Sequence, residues 1–405
     1  MGLSHRHGPG ELGAGDGIGI HVAEGNVRRP WATWGREVKV SDDPRLAGLT
    51  GRPDRPAPPL PAGLVPGLHR LADVIGDWSD DLGGRVTVDP VAAVTDRAAA
   101  SGLIRRGEIS CNGSCHLLAS AGGWVAVNLP RPVDWELTAA WLELDAPVGA
   151  GRWDQVAAGV SGRSGVELVE RAALVGLAVA VVGERAGTRS GHDPTDAGPP
   201  GVVIRDCGAD SNAKRAGEIT VVDLSSLWAG PLAGSLLVRA GARVVKVDST
   251  SRPDGARRGP AVHFGALNHE KEEVGLDFAS ACGRQALTDL ISRADVVISS
   301  CRPRALDQLG LDPATAVGEG GPSVWLTITG YGDDPGSAER VAFGDDAAAA
   351  GGLVVWDDGG PCFCGDAVAD PATGLAGAAG VFGVLRSGRR AVVSASLADV
   401  AGGLA

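Results

Sequence analysis

One short segment near the C-terminus carries residues that could act as a nucleophile. In A-D-P-A-T-G, residues 369–374, Asp370 precedes a proline that suits the first position of a helix. An aspartate there is a typical N-cap, whose side-chain oxygen accepts a backbone N–H of the first turn. The same carboxylate would be kept ionised by the helix dipole and could attack an electrophilic carbon. Capping and catalysis compete for the same oxygens, and these residues alone leave both open.

The helix predicted after Asp370 consists almost entirely of small residues. Gly374, Gly377 and Ala378 fall in its first turns, and each glycine costs a helix up to about 1 kcal/mol relative to alanine. We therefore expect close packing or ligand binding to decide these positions. Asp366, four residues before Asp370, is a second acidic candidate.

Composition and charge narrow the class of protein. The chain has 405 residues, of which 44% are hydrophobic and 21% charged, and this predicts a globular protein of two domains. No stretch approaches the roughly 20 uninterrupted apolar residues of a membrane span, so no membrane partner is expected. A net charge of −12 disfavours nucleic acid as a partner, because phosphate binding needs clustered lysine and arginine.

The cysteines and the N-terminus favour a cytoplasmic location. Seven cysteines are an odd number, and the first residues lack the basic and apolar regions of a secretion signal. Neither the Cys362–Cys364 pair nor the Cys111–Cys115 pair has zinc-finger spacing. We therefore expect reduced thiols and no metal site.

Sequence patterns divide the chain into four segments. Residues 1–67 are rich in glycine and proline and predict mostly irregular structure. Residues 68–184 alternate helical patterns with short strands and predict a small α+β domain. Residues 185–217 are polar and loop-like, which indicates a linker with one short strand, VVIRD. Residues 218–405 form the second domain.

Strands and helices alternate along this second domain. EITVVDLS, RVVKVDS, DVVISS and SVWLTITGYG predict strands, with PLAGSLLVRAGA and RQALTDLISRA as helices between them. The alternation predicts a doubly wound, Rossmann-like parallel sheet, whose ligand would bind at the carboxyl ends of the strands. The first turn, DLSSLWAGPLAG, lacks the G-x-G-x-x-G spacing, so NAD and FAD are not expected. Its backbone N–H groups at a helix start could still hold an anion.

Six motifs follow one another between residues 219 and 400. They are VVDLSSLWAGPLAGSLL, GARVVKVDS, FGALNHEKEEVGLDF, ADVVISSCRPRALDQLGLD, WLTITGYG and ADPATGLAGAAG. This succession resembles the family III CoA-transferases, the group that includes the formyl-CoA, carnitine and benzylsuccinate enzymes. The family's nucleophile is the aspartate of a D-x-x-[ST]-G motif, which here falls on Asp370, Thr373 and Gly374.

The resemblance implies a covalent reaction at Asp370. The carboxylate would attack an acyl-CoA to give an aspartyl anhydride, and the CoA thiolate would return to form an aspartyl-CoA thioester. A carboxylic acid acceptor would then take the CoA. Coenzyme A is thus implied as a substrate, with no permanently bound cofactor.

The family's CoA contacts transfer to two segments of this chain. The turn after the first strand supplies Leu227, Trp228 and Ala229, and the segment S-C-R-P-R-A-L and its continuation supply Ser300, Arg302 and Leu309. Two positions depart from the family, because Ser300 stands where asparagine is frequent and Gln308 where arginine is frequent. Neighbouring arginines could replace the lost phosphate contacts; they are Arg252, Arg257, Arg258 and Arg304.

The domain order differs from that of the family. Family members begin with the large domain, whereas here a segment similar to their small domain, residues 107–184 with the strand GGWVAV, precedes it. We interpret this order as a circular permutation. Asn112, Gly113 and Ser114 are then the candidates for the glycine loop that the small domain contributes to the acyl site. The resemblance also implies a homodimer.

Three other functions stay open. Acyl-CoA racemases share this fold but use a histidine in a G-H-D-like segment, which here is F-G-D-D, residues 343–346. The missing histidine disfavours racemisation, while an intramolecular CoA transfer would use the same aspartate. A non-catalytic CoA-binding subunit is the third reading, and the retained D-x-x-T-G motif argues against it.

Overall fold

The C-terminal half, where strands and helices alternate, forms one large sheet, and the segment before it contains a small sheet. The computed structural model describes residues 43–187, 198–210 and 216–405. These residues lie within one compact unit. The domain boundaries given above stay predictions.

In the described residues, the helices are short except for α2 and α13. They are α1 (Pro44–Ala47), α2 (Leu64–Asp81), α3 (Pro90–Ser101), α4 (Pro132–Leu142), α5 (Trp153–Val160), α6 (Gly165–Val175), α7 (Ala229–Arg239), α8 (Ala261–Asn268), α9 (Ala281–Ser292), α10 (Pro303–Gln308), α11 (Pro313–Gly318), α12 (Gly344–Ala350), α13 (Ala369–Ser387) and α14 (Leu397–Leu404). In the described part of the chain, no helix is both long and apolar enough to cross a bilayer.

The strands that the structure describes form three sheets. They are β1 (Cys115–Ser120), β2 (Gly123–Asn128), β3 (Ala178–Val181), β4 (Val202–Ala209), β5 (Thr220–Asp223), β6 (Arg243–Ser249), β7 (Glu272–Leu276), β8 (Val296–Ser299), β9 (Val324–Thr329), β10 (Val354–Asp357), β11 (Gly360–Phe363) and β12 (Arg389–Ser396). An antiparallel sheet has the order β1-β2-β3, and β10 and β11 form a hairpin.

The large sheet has seven strands in the order β4-β12-β9-β8-β5-β6-β7. All neighbours are parallel except β4, which pairs antiparallel with β12. The chain order reverses between β5 and β8, so the turns after these two strands open into one crevice. The predicted doubly wound α/β fold is confirmed.

The segment predicted as a linker takes part in this sheet. The predicted strand VVIRD becomes β4, which is longer than expected and covers the edge of β12. Residues 188–197 and 211–215 of that segment lie outside the described residues, as do residues 1–42 of the segment predicted to be irregular. The remainder of the latter segment holds α1 and the start of α2.

Helix α13 explains the small residues that follow Asp370. Nearly all of it is buried, and its glycines stand where a neighbouring element approaches. A Cβ on Gly374 would lie 2.6 Å from the Ala229 carbonyl oxygen, and one on Gly383 would lie 2.5 Å from the Trp78 ring. The helix is therefore glycine-rich because α7, the sheet and α2 all pack against its backbone.

We expect Gly374→Ala to destabilise the protein although alanine favours helix. The gain in helix propensity is about 1 kcal/mol, whereas forcing a methyl group against the Ala229 carbonyl costs about 1–3 kcal/mol. Urea unfolding measures the difference. Gly265→Ala on α8 is the matched control, because a Cβ there meets nothing within 4 Å. A stabilised Gly374→Ala protein would show that α7 and α13 are not held this closely.

Candidate active site

Asp370 lies in the first turn of α13 but does not cap it. The helix begins at Ala369, two residues earlier than the capping prediction requires, and its N-cap is Val368 without a side-chain hydrogen bond. The Asp370 backbone N–H donates to the Ala367 carbonyl at 3.0 Å. Its half-buried carboxylate faces the Gly344 backbone N–H, which lowers the pKa of this carboxyl group. The capping prediction is wrong, and the carboxylate is available for chemistry.

Two further carboxyl groups act on the charge of Asp370, and a third is the sequence neighbour of one of them. Asp345 and Asp346 come from the first turn of α12, and Asp366 precedes α13; all three are buried. Burial is the largest cause that raises the pKa of Asp370, which reaches about 7; Arg97 opposes this rise, while the charges of Asp345 and Asp366 add to it. Burial also raises the pKa of Asp345 to about 6 and that of Asp346 to about 7. Asp370 thus changes its charge near neutral pH.

Arg97 of α3 joins this cluster to the predicted CoA turn. Its Nε and Nη2 donate to the two carboxylate oxygens of Asp366 at 2.8 and 2.5 Å. The guanidinium carbon lies 4.7 Å from the centre of the Trp228 ring, and His263 packs edge-on against the same indole. Burial lowers the pKa of His263 to about 4, and Arg97 adds to that shift.

Two strained turns flank the site, and a buried carboxylate holds each. Leu227 and Ala367 have φ values of 70° and 47°, which side-chain-bearing residues rarely adopt. The Leu227 N–H donates to Asp254 at 3.0 Å, and the Ala367 N–H donates to Asp345 at 2.9 Å. Such strain persists only where its surroundings enforce it, and it is frequent at functional sites.

The two predicted CoA segments meet at the crevice between β5 and β8. The Ser226 N–H donates to the Ser300 hydroxyl at 2.9 Å, which joins the Trp228 turn to the turn after β8. Arg302 is exposed at the start of α10, whereas Leu309 follows that helix and packs against the apolar core under the sheet. The structure therefore places Ser300 beside the turn that carries Trp228, whereas Leu309 faces the core.

Two buried lysines stabilise the turn that follows β5 and carries Trp228, which we call the Trp228 turn. Lys246 lies 3.0 Å from Asp254 and donates to the Ser225 carbonyl at 2.9 Å. Lys271 pairs with Asp223, the last residue of β5, at 2.8 Å. These charges fix the turn in which the CoA contacts are expected.

The arginines proposed for phosphate contacts differ in their availability. Arg257 is already paired with Asp248 and Glu273. Within the described ranges, the other three phosphate candidates have no ion pair with an acidic side chain; they are Arg252, Arg258 and Arg304. The same holds for Arg302, the predicted CoA contact.

The candidate glycine loop reaches the carboxylate cluster. Asn112 Nδ2 donates to Asp345 at 3.3 Å, and Gly113 has a φ of 81°. The Ser114 hydroxyl donates to the Asn128 side-chain oxygen at 2.9 Å. This loop, from the region ahead of the large sheet, thus borders the same site as Asp370.

Sequence reasoning missed three contributors to the site. Arg97 lies in an unremarkable helical pattern, and only the docking of α3 places it here. Asp345 lies in the F-G-D-D pattern that lacks the racemase histidine, and this pattern is a usable sequence signal for an acidic site residue. Gly344 is required because a Cβ there would lie 2.3 Å from the Ala367 carbonyl oxygen.

Raised carboxyl pKa values predict that stability falls as the pH rises toward neutrality. Where the folded pKa exceeds the unfolded value near 4, the folded state binds more protons, so its advantage is lost as the pH rises through about 7. Asp346, fully buried, would contribute up to about 4 kcal/mol. We expect Asp346→Asn to reduce the loss of unfolding free energy between about pH 4 and 7, the interval between its unfolded and folded pKa values. Equal slopes for the two proteins in urea titrations would contradict this.

The part of the chain that forms most of the large sheet matches one protein family. Residues 217–404 match the model of CoA-transferase family III. Over this stretch the chain is similar to that family, and we call residues 217–404 the family III segment. The family III segment contains Asp370 and both predicted CoA segments, whereas Arg97 and the Asn112 loop precede it.

Individual relatives share the same part of the chain. A formyl-CoA:oxalate CoA-transferase of Streptomyces coelicolor is 33% identical over 186 residues, covering 43% of this chain and 44% of that protein. An acyl-CoA transferase of Fusarium pseudograminearum is 30% identical over 175 residues, covering 39% and 38%. The crystal structure of a CaiB/BaiF family protein from Brucella suis has 29% identity and a TM-score of 0.43, covering 47% of this chain and 55% of that one.

The matches leave several predictions untested. The chain spans about two-fifths of the length of these two curated relatives. The circular permutation, the homodimer and the cytoplasmic location therefore stay predictions.

Proposed function

We propose that the protein is a CoA-transferase that moves CoA from an acyl-CoA to a carboxylic acid, with Asp370 as the nucleophile. The observation that carries the proposal is the Asp370 carboxylate, which is not used as a cap and lies one helical turn from the contact with the Trp228 turn. The family III match and relatives named as CoA-transferases support CoA transfer in general.

The first half-reaction loads CoA onto Asp370. A carboxylate oxygen attacks the thioester carbon, the C–S bond breaks, and a CoA thiolate leaves an aspartyl anhydride. The thiolate then attacks the Asp370 carbonyl carbon, and the C–O bond breaks to release the donor acid. The Gly344 N–H, which already points at this carboxyl group, would stabilise the oxyanion that forms on it.

The second half-reaction transfers CoA to the acceptor. The acceptor carboxylate attacks the aspartyl-CoA thioester and displaces the thiolate, which then attacks the acceptor's carbonyl in the new anhydride. Asp370 is regenerated as a carboxylate and the acceptor leaves as its CoA thioester. Both intermediates hydrolyse in water, so the buried surroundings of Asp370 would protect them.

The pKa of Asp370 suits this role. A carboxylate with a pKa near 7 is more basic, and hence more nucleophilic, than an ordinary aspartate, yet remains substantially ionised at neutral pH. We expect the rate of adduct formation to rise as the pH increases through about 7.

Intact-protein mass spectrometry tests the proposal. The protein is mixed with acetyl-CoA, succinyl-CoA, oxalyl-CoA and formyl-CoA, and hydroxylamine is added to convert an aspartyl thioester to a hydroxamate. We expect an adduct on Asp370 in the wild type and in Asp358→Asn, an exposed control, and none in Asp370→Ala. Binding of CoA without any adduct would favour the non-catalytic subunit instead.

A further inference from the structure

Arg97 lies outside the segment that matches the family model, yet reaches its centre. Helix α3 packs against α2, α8 and α13, and this docking places the guanidinium between two turns of the family III segment. One turn carries Asp366 and leads into Asp370. The other carries Trp228.

Arg97 makes two kinds of contact that fix the orientation of its planar guanidinium group, one through its edge and one through its face. The edge of the guanidinium meets both oxygens of Asp366, which is fully buried. Its face covers the Trp228 indole, while only 22% of the Arg97 side chain is exposed. A bidentate fork and a stacked face are geometries that arginine provides and lysine does not.

We propose that Arg97 is a positioning residue that holds the Asp366–Asp370 turn and the Trp228 turn at a fixed separation. The inference rests on the proposed function, because the separation matters if CoA binds at Trp228 while its thioester reaches Asp370. Displacing reacting atoms by about 1 Å can cost on the order of 100-fold in rate.

The charge of Arg97 also bears on Asp370. The charged groups that face Asp370 are Arg97 from α3, Asp345 from α12 and Asp366 from the turn before α13, so Arg97 is the cation among three acids. Removing Arg97 would shift the ionisation of Asp370 to higher pH.

The test must separate positioning from simple neutralisation of Asp366. Arg97→Met alone leaves a buried charge and could prevent folding, so the decisive variant is the neutral double substitution Arg97→Met/Asp366→Asn. Arg97→Lys keeps the charge but loses the fork and the stack. The matched control is Arg386→Met/Asp81→Asn, because Arg386 donates to Asp81 at 2.9 Å and lies over the Trp78 ring, away from the site.

Steady-state kinetics with the acyl-CoA that labels the wild type give the first readout. We expect kcat/KM to fall about 10- to 100-fold in the double variant and in Arg97→Lys, through both a higher KM for the acyl-CoA and a lower kcat. The control pair should stay near wild type. A double variant within about twofold of wild type would overturn the proposal, since Arg97 would then only neutralise Asp366.

A second readout needs no acyl-CoA. Carbodiimide couples glycinamide to protonated carboxyl groups, and peptide mass spectrometry follows the coupling at Asp370 as a function of pH. We expect the midpoint to lie higher in the double variant than in the wild type, and an unchanged midpoint would contradict the electrostatic part. If wild type itself forms no adduct, the proposed function fails, whereas a shifted midpoint would still report the contact of Arg97 with this site.

Discussion

Asp370→Asn is expected to abolish CoA transfer, with kcat at least about 10³-fold below wild type. Asparagine has the same size and keeps an oxygen for the Gly344 N–H, so the site should retain its shape. It lacks the ionised oxygen that attacks the thioester. The measurement is turnover with the acyl-CoA that labels the wild-type protein.

Two further variants make the Asp370 result specific. Asp358→Asn is the same chemical change at an exposed hairpin position and should leave turnover unchanged. Asp370→Asn should also retain affinity for CoA, since the predicted CoA turn is formed by other residues. Turnover within about tenfold of wild type in Asp370→Asn would remove Asp370 as the nucleophile.

Lys271→Met is expected to be the most destabilising single substitution near the site. The Lys271 ammonium donates to Asp223, to the Pro231 carbonyl and to Asn268 at 2.8, 2.8 and 3.0 Å. Burial alone would raise the pKa of Asp223, but Lys271 and Lys246 hold it below its usual value. Removing Lys271 leaves the buried Asp223 carboxylate without this ion pair, which lowers the free energy of unfolding by about 3–5 kcal/mol.

Equilibrium unfolding in urea measures this loss. Lys271→Met/Asp223→Asn should recover part of the stability, because no unpaired charge remains. Arg243→Met serves as the control, since its pair with Glu272 is exposed and should contribute nothing measurable. A loss below about 1 kcal/mol in Lys271→Met would show that water reaches Asp223.

Periodicity alone was enough to predict the parallel centre of the large sheet, but not its strands β7 and β12. The apolar runs that became β5, β6, β8 and β9 are separated by helical patterns of ordinary length, and this combination permits few alternatives. The antiparallel strand β4 was predicted as a strand, but its partner was not. Strand pairing between distant segments depends on tertiary structure that local patterns do not contain.

The capping prediction for Asp370 failed for a local reason that the sequence conceals. Ala367 adopts a left-handed conformation, stabilised by Asp345 from α12. The helix then starts at Ala369, and Asp370 falls inside its first turn. An alanine in that conformation is unusual, so no propensity argument would have placed the turn there.

Arg97 illustrates the other limit of sequence reasoning. Its helix carries an ordinary amphipathic pattern, and nothing in V-T-D-R-A-A-A indicates a contact with Asp366, which is 269 residues away. The Asn112 loop was found only through resemblance. Residues whose roles arise from docking between distant segments need the structure.

The pairing of β4 with β12 matters for anyone who shortens this chain. A recombinant fragment cut at the family boundary, residues 217–404, would lose β4 and leave the β12 edge that pairs with β4 without a partner, while β12 would still pair with β9. It would also uncover the face of α13 that Trp78 occupies. Open strand edges and stripped apolar faces promote aggregation. The family III segment is thus not a separable module, because earlier parts of the chain complete its sheet.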